Sequence, residues 1–90
     1  QESIYAFPNP VRPEYGGNIT IAGLEQDSKV WITDASANVV FEGKSNGGSL
    51  SWNGRNKSGQ MVSGGVYFVL VSNADSEHHR SVATKILIVR

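Results

Sequence analysis

Val66-Tyr67-Phe68-Val69-Leu70-Val71 is the stretch on which the fold turns. It is β-branched, aromatic or aliphatic throughout, the side chains that fit a pleated surface, and it is too short for a buried helix. A strand with one wet face alternates apolar with polar. A run that is apolar on both sides predicts a central strand whose second face is also covered. Gly64-Gly65 frees the backbone just before it, and the polar residues 73–80 follow it as a turn.

Outward from this stretch, similar short runs recur at 3–7, 18–23, 29–34, 38–43, 48–52, 65–73 and 81–90. Pro8-Asn9-Pro10, Tyr15-Gly16-Gly17-Asn18, Glu25-Gln26-Asp27-Ser28, Ala35-Ser36-Ala37-Asn38 and Ser45-Asn46-Gly47-Gly48 separate them. Gly and Asn tolerate positive φ and Pro fixes φ, so each gap is turn chemistry. Val30 and Ile32 alternate with Trp31 and Thr33, and Ile19 and Ile21 with Thr20 and Ala22, which predicts half-buried strands. No helical period competes. The fold class is all-β: an Ig-like β-sandwich of about seven antiparallel strands.

The last run, Lys85-Ile86-Leu87-Ile88-Val89-Arg90, is apolar on both faces although it ends the chain. With Ile86 and Ile88 turned to the core, Leu87 and Val89 point outward between two cations. Such a face is covered by a loop or by another domain of the parent, or it is a docking surface. At a sheet edge its unpaired backbone groups could also accept a partner strand, with the charges as gatekeepers or specificity contacts.

Ninety residues and 9.7 kDa allow one core, so residues 1–90 form a single domain. A start at Gln1 rather than Met is the expectation for a domain cut from a larger protein. Eight basic and eight acidic residues give no net charge, a poor footprint for nucleic acid or an anionic membrane. No apolar run is long enough to span a bilayer, and residues near Gln1 lack the pattern of a signal peptide. Without cysteine there are neither disulfides nor thiolate chemistry.

Chemical motifs are sparse. His78-His79 are neighbours in a polar segment, and adjacent residues of an extended chain point to opposite faces, so no metal site is expected. No serine lies in Gly-x-Ser-x-Gly, and Asn46-Gly47-Gly48 precedes a strand rather than the helix a phosphate cradle needs. A small sandwich has little room for a cleft with two tuned carboxylates. The chain reads as non-enzymatic and cofactor-free. Trp31 and Trp52 are candidate glycan contacts, because sugar-binding sandwiches stack pyranose rings on exposed aromatics; the alternative is that both pack internally.

The densest pattern is Trp52-Asn53-Gly54-Arg55-Asn56-Lys57-Ser58-Gly59-Gln60-Met61-Val62-Ser63-Gly64-Gly65-Val66-Tyr67-Phe68. With Ala6-Phe7-Pro8-Asn9-Pro10-Val11 and the basic-flanked end from Lys85 to Arg90, it resembles the Ig-like C-terminal domain of Bacteroidetes surface and secreted proteins. That family carries the type IX secretion sorting signal and is similar in pattern to flagellar-hook-cap Ig-like domains. The resemblance covers nearly the whole chain.

The resemblance implies export to the periplasm, recognition by the outer-membrane translocon and delivery to the cell surface. There a sortase removes the domain from cargo and attaches anionic lipopolysaccharide. It also implies that Gly64, Gly65 and Tyr67 form the family's glycine-tyrosine motif, and Lys85 with Arg90 its basic terminal motif. In a component of the machinery, the domain would instead hold that component in the attachment complex beside the sortase. The hook-cap pattern has Asp where this chain has Asn53 and Asn56, so no cation site is expected in that turn. A carbohydrate-binding module and a passive Ig-like spacer are the alternatives.

Overall fold

A computed structural model of the chain describes residues 3–72 and 80–90. Seven strands run through them: β1 Tyr5–Phe7, β2 Ile19–Ala22, β3 Lys29–Thr33, β4 Val39–Lys44, β5 Ser49–Trp52, β6 Gly65–Ser72 and β7 Ser81–Ile88. The described residues contain no helix. The strands form an antiparallel three-stranded sheet, β1-β2-β5, and an antiparallel four-stranded sheet, β4-β3-β6-β7. These pairings follow the Ig pattern, with β4 added at the β3 edge of the second sheet.

Period-2 alternation fills the space between the sheets. Ile19 and Ile21 enter from one side; Val30, Ile32, Tyr67, Val69, Ile86 and Ile88 enter from the other. Trp52, 0% exposed, closes one end, its ring 6.2 Å from Phe41 and 6.1 Å from Tyr67. Its indole N–H donates to Arg55 O at 3.0 Å, so the buried ring carries no unsatisfied donor. Val11, Leu24 and Val62, from connections rather than strands, also join the core.

Two expectations about faces change. β3 is covered on both sides: Trp31 and Thr33 lie opposite Val30 and Ile32 yet are also buried. Arg80 lies 4.0 Å over the Trp31 ring and Glu42 Oε2 accepts its indole N–H at 3.0 Å, so long polar side chains supply a cover that a period-2 pattern does not register. β6 lies inside its sheet as expected, but its second face is only partly covered: Phe68 and Leu70 are half-buried and Val66 is exposed. A strand can be central in hydrogen bonding without a layer above it. The pair His78-His79 lies outside the described residues.

Two carboxylates, half-buried Asp34 and exposed Glu42, organise the rim of the four-stranded sheet. Asp34 Oδ1 accepts the amides of Ser36 and Asn38, each at 2.9 Å, and Oδ2 accepts Asn38 Nδ2 at 3.1 Å. These bonds, chiefly those from Asn38, hold its carboxyl below the usual range. Glu42 is held low first by the Lys57 ammonium at 3.3 Å and then by the Trp31 indole.

Two outcomes follow from this packing. Trp52→Ala is expected to cost about 3–5 kcal/mol, and Leu87→Ala on the outer face less than about 1 kcal/mol, read from urea midpoints; similar midpoints would contradict the assigned faces. Because the folded-state pKa values of Asp34 and Glu42 lie below their unfolded values, their contribution is complete above the unfolded range and lost as pH falls through the folded values. The melting temperature should therefore drop on acidification below about pH 4, and less steeply in an Asp34→Asn, Glu42→Gln double variant.

Candidate functional site

The terminal strand sits at one edge of the four-stranded sheet, paired only with β6 among the named strands. Opposite neighbours are Val66 with Leu87, Tyr67 with Ile86 and Phe68 with Lys85. Ile86 and Ile88 are 0% and 2% exposed, whereas Leu87 is 45% exposed and Lys85 is exposed as well. Val66, Leu87 and Val82 thus make an exposed apolar stripe beside the Lys85 ammonium. A shallow groove of about 350 Å³, lined in part by Ala35, Ala37, Val39, Phe68, Leu70 and Val82, continues it.

The last two residues depart from the strand. β7 ends at Ile88, not Arg90. Val89 is half-buried rather than outward, and its N–H donates to Val11 O at 2.8 Å. Arg90 remains exposed, but its Nε donates to Val62 O at 3.1 Å. Of the four terminal residues expected to be readable, Lys85 and Leu87 are open, Val89 is tied to the backbone and Arg90 is partly engaged.

The edge of β7 is not open along its last half. Asn9 Nδ2 donates to Lys85 O at 2.8 Å, and Asn9 Oδ1 accepts the Leu87 N–H at 3.0 Å. Val11 N–H donates to Leu87 O at 2.7 Å, and Val11 forms a parallel bridge with Ile88. The expectation that these backbone groups could accept a partner strand does not hold for Lys85 to Val89. Pro8-Asn9-Pro10 reads as a turn in sequence. The overlooked signal is that neither proline has an N–H, so the Asn9 side chain is that triplet's versatile polar group, followed at once by an apolar anchor.

Gly64, Gly65 and Tyr67 form the mount for this end. A Cβ on Gly64 would lie 3.2 Å from Ile88 O and 3.3 Å from Arg90 N, so glycine permits the terminal backbone to approach. Gly65 has a φ of 153°, which a side chain resists, as the chain enters β6. Tyr67 is buried, and its hydroxyl donates to Ser63 O at 2.7 Å. Burial, and secondarily the Asp34 charge, push its pKa above the ordinary phenol value, so it remains a donor. The glycine-tyrosine and basic terminal motifs are therefore in contact, the first shaping the seat of the second.

The connection from Trp52 to Tyr67 is held by side-chain amides. Asn53 Oδ1 accepts the Arg55 amide at 3.1 Å, and Asn56 Oδ1 accepts those of Ser58 and Gln60 at 2.9 and 3.0 Å. Neutral Asn side chains thus shape the turn. Neither tryptophan offers a glycan platform. Trp52 has no exposed surface, and Trp31, 6% exposed, lies beneath Arg80. The exposed aromatics are instead Tyr15 and the pair Tyr5 and Phe7, whose rings stack at 5.9 Å.

No protein-family model matches the chain, and a search of curated proteins gives no match. Two solved structures share its fold. One is PorZ, an essential bacterial surface component of the type-IX secretion system of human oral-microbiomic Porphyromonas gingivalis. It aligns with a TM-score of 0.84 and 34% identity over 97% of this chain and 11% of that one. The other is dimeric latent PorU from Porphyromonas gingivalis, with a TM-score of 0.63 and 22% identity over 98% of this chain and 9% of that one. At that identity PorU attests the fold alone. The chain spans only about a tenth of either protein's length. The likeness carried by the motifs is borne out by the fold: this is an Ig-like domain similar, over nearly its whole length, to the C-terminal domain of the type IX secretion component PorZ.

Proposed function

We propose that the chain is a non-enzymatic C-terminal signal and docking domain, read by the type IX secretion machinery for outer-membrane translocation and surface attachment. The observation that carries this reading is the division of labour in β7. Ile86 and Ile88 anchor the strand in the core, while Leu87, beside Val66 and the Lys85 ammonium, stays open to a partner. An apolar stripe beside a cation suits a protein surface with apolar contacts and a carboxylate. The partners this reading names are the translocon and the surface attachment complex with its sortase. Anionic lipopolysaccharide is a further one, for which Lys85 and Arg90 supply charge. The setting is the cell surface and outer membrane, reached through the periplasm.

Gly64, Gly65 and Tyr67 act in this reading by seating the terminal residues rather than by touching a partner. The carbohydrate-module alternative loses its two rings to the core and to Arg80. A passive spacer remains the reading to defeat, since it requires no open terminal face.

The test is Lys85→Glu in the full parent protein, with Leu87→Asp as a second variant. Arg90→Glu is less clean because the Arg90 side chain also bonds Val62 O. Surface display, read by protease shaving or immunolabelling of intact cells, should fall about tenfold or more in both variants, with the melting temperature of the isolated chain little changed. Undiminished display in both would leave the spacer account standing.

A further inference from the structure

We propose that Asn9 is the positioning residue of the terminal strand: its side-chain amide replaces a neighbouring strand along β7. Residues Lys85 to Val89 are then readable only through side chains, their edge closed to strand addition by a partner or by a second copy of this chain. The term docking rests on the function proposed above; the closed edge does not.

A peptide edge is satisfied by alternating donors and acceptors. A primary amide carries both kinds of group, an acceptor oxygen and an NH2 donor, at nearly peptide spacing. Asn9 uses both, Nδ2 on Lys85 O at 2.8 Å and Oδ1 on Leu87 N–H at 3.0 Å. Val11 continues the series in backbone, donating to Leu87 O at 2.7 Å and accepting from Val89 N–H at 2.8 Å. Four successive outward groups from Lys85 to Val89 are thereby occupied. Val11 is itself buried, at 4% exposure, which fixes the segment to the core.

The segment also cannot pass the sheet on. Pro8 and Pro10 present no N–H, so a further strand laid against Asn9 would meet a row depleted of donors. Natural sheets end exposed edges with prolines and local irregularities of this kind. Asp at position 9 would keep the acceptor for Leu87 and set a carboxylate against the Lys85 carbonyl. Leu would keep the volume and lose both bonds.

The experiment compares the isolated chain with its Asn9→Leu and Asn9→Asp variants by amide exchange and sedimentation velocity. The original chain should be monomeric, with slow Leu87 and Val89 amides. In Asn9→Leu the Leu87 amide should exchange about tenfold faster, the loss of one to two net hydrogen bonds, while the Val69 amide in β6 is unchanged. The same variant should self-associate with rising concentration. Asn9→Asp should shift both readouts in the same direction by less. A Leu87 amide within about twofold of the original, or a variant that stays monomeric, overturns the proposal. If Asn9→Leu does not fold, Asn9→Asp decides by the same two readouts. Neither measurement involves secretion, so this proposal can fail while the docking reading stands, and the reverse.

Discussion

Ile86 and Ile88 enter the core from a strand that has a neighbour on one side only, and the rest of the domain is arranged to make that possible. On the paired side, β6 supplies the ladder and sets Tyr67 opposite Ile86. On the other side, Asn9 and Val11 satisfy the backbone that an edge strand leaves unpaired. Above the strand's end, Gly64 leaves room for Ile88 O and the Arg90 backbone. Each hold depends on another part of the chain, so the terminal residues keep a fixed conformation only in the folded domain.

That dependence gives the long motif from Trp52 to Phe68 a physical meaning. Trp52 fills the end of the sandwich and contacts Tyr67; Asn53 and Asn56 shape the intervening turns; Val62 O receives the Arg90 side chain. A sequence pattern read as a signature is thus a seat for the last residues. The glycines and the tyrosine thus shape the backbone from which Lys85 and Leu87 project at the surface.

The faces of the four-stranded sheet show where polar side chains override apolar patterning. Trp31 is buried on the outer face by Arg80 and Glu42, while Val66 and Leu87, on the same sheet, are left open. Burial of an outer face therefore depends on which long side chains reach across it, not on the apolar content of the strand. The openness of Leu87 is a consequence: Val66 is its opposite neighbour, and among the described residues no long arm covers either.

By itself the sequence determined the strands, to within one or two residues, and the alternating sets Ile19 and Ile21, Val30 and Ile32, and Ile86 and Ile88, because period-2 alternation and turn chemistry are local and written in order along the chain. It also carried the motifs that relate the chain to PorZ. Only the tertiary structure decided that Asn9 closes the edge of a strand 76 residues away, that Arg80 covers Trp31, that Trp52 is wholly internal, and that Val89 and Arg90 are engaged while Lys85 and Leu87 are not. These are contacts between distant segments, fixed by how two sheets stack and where a connection crosses an edge, and no local spacing encodes them.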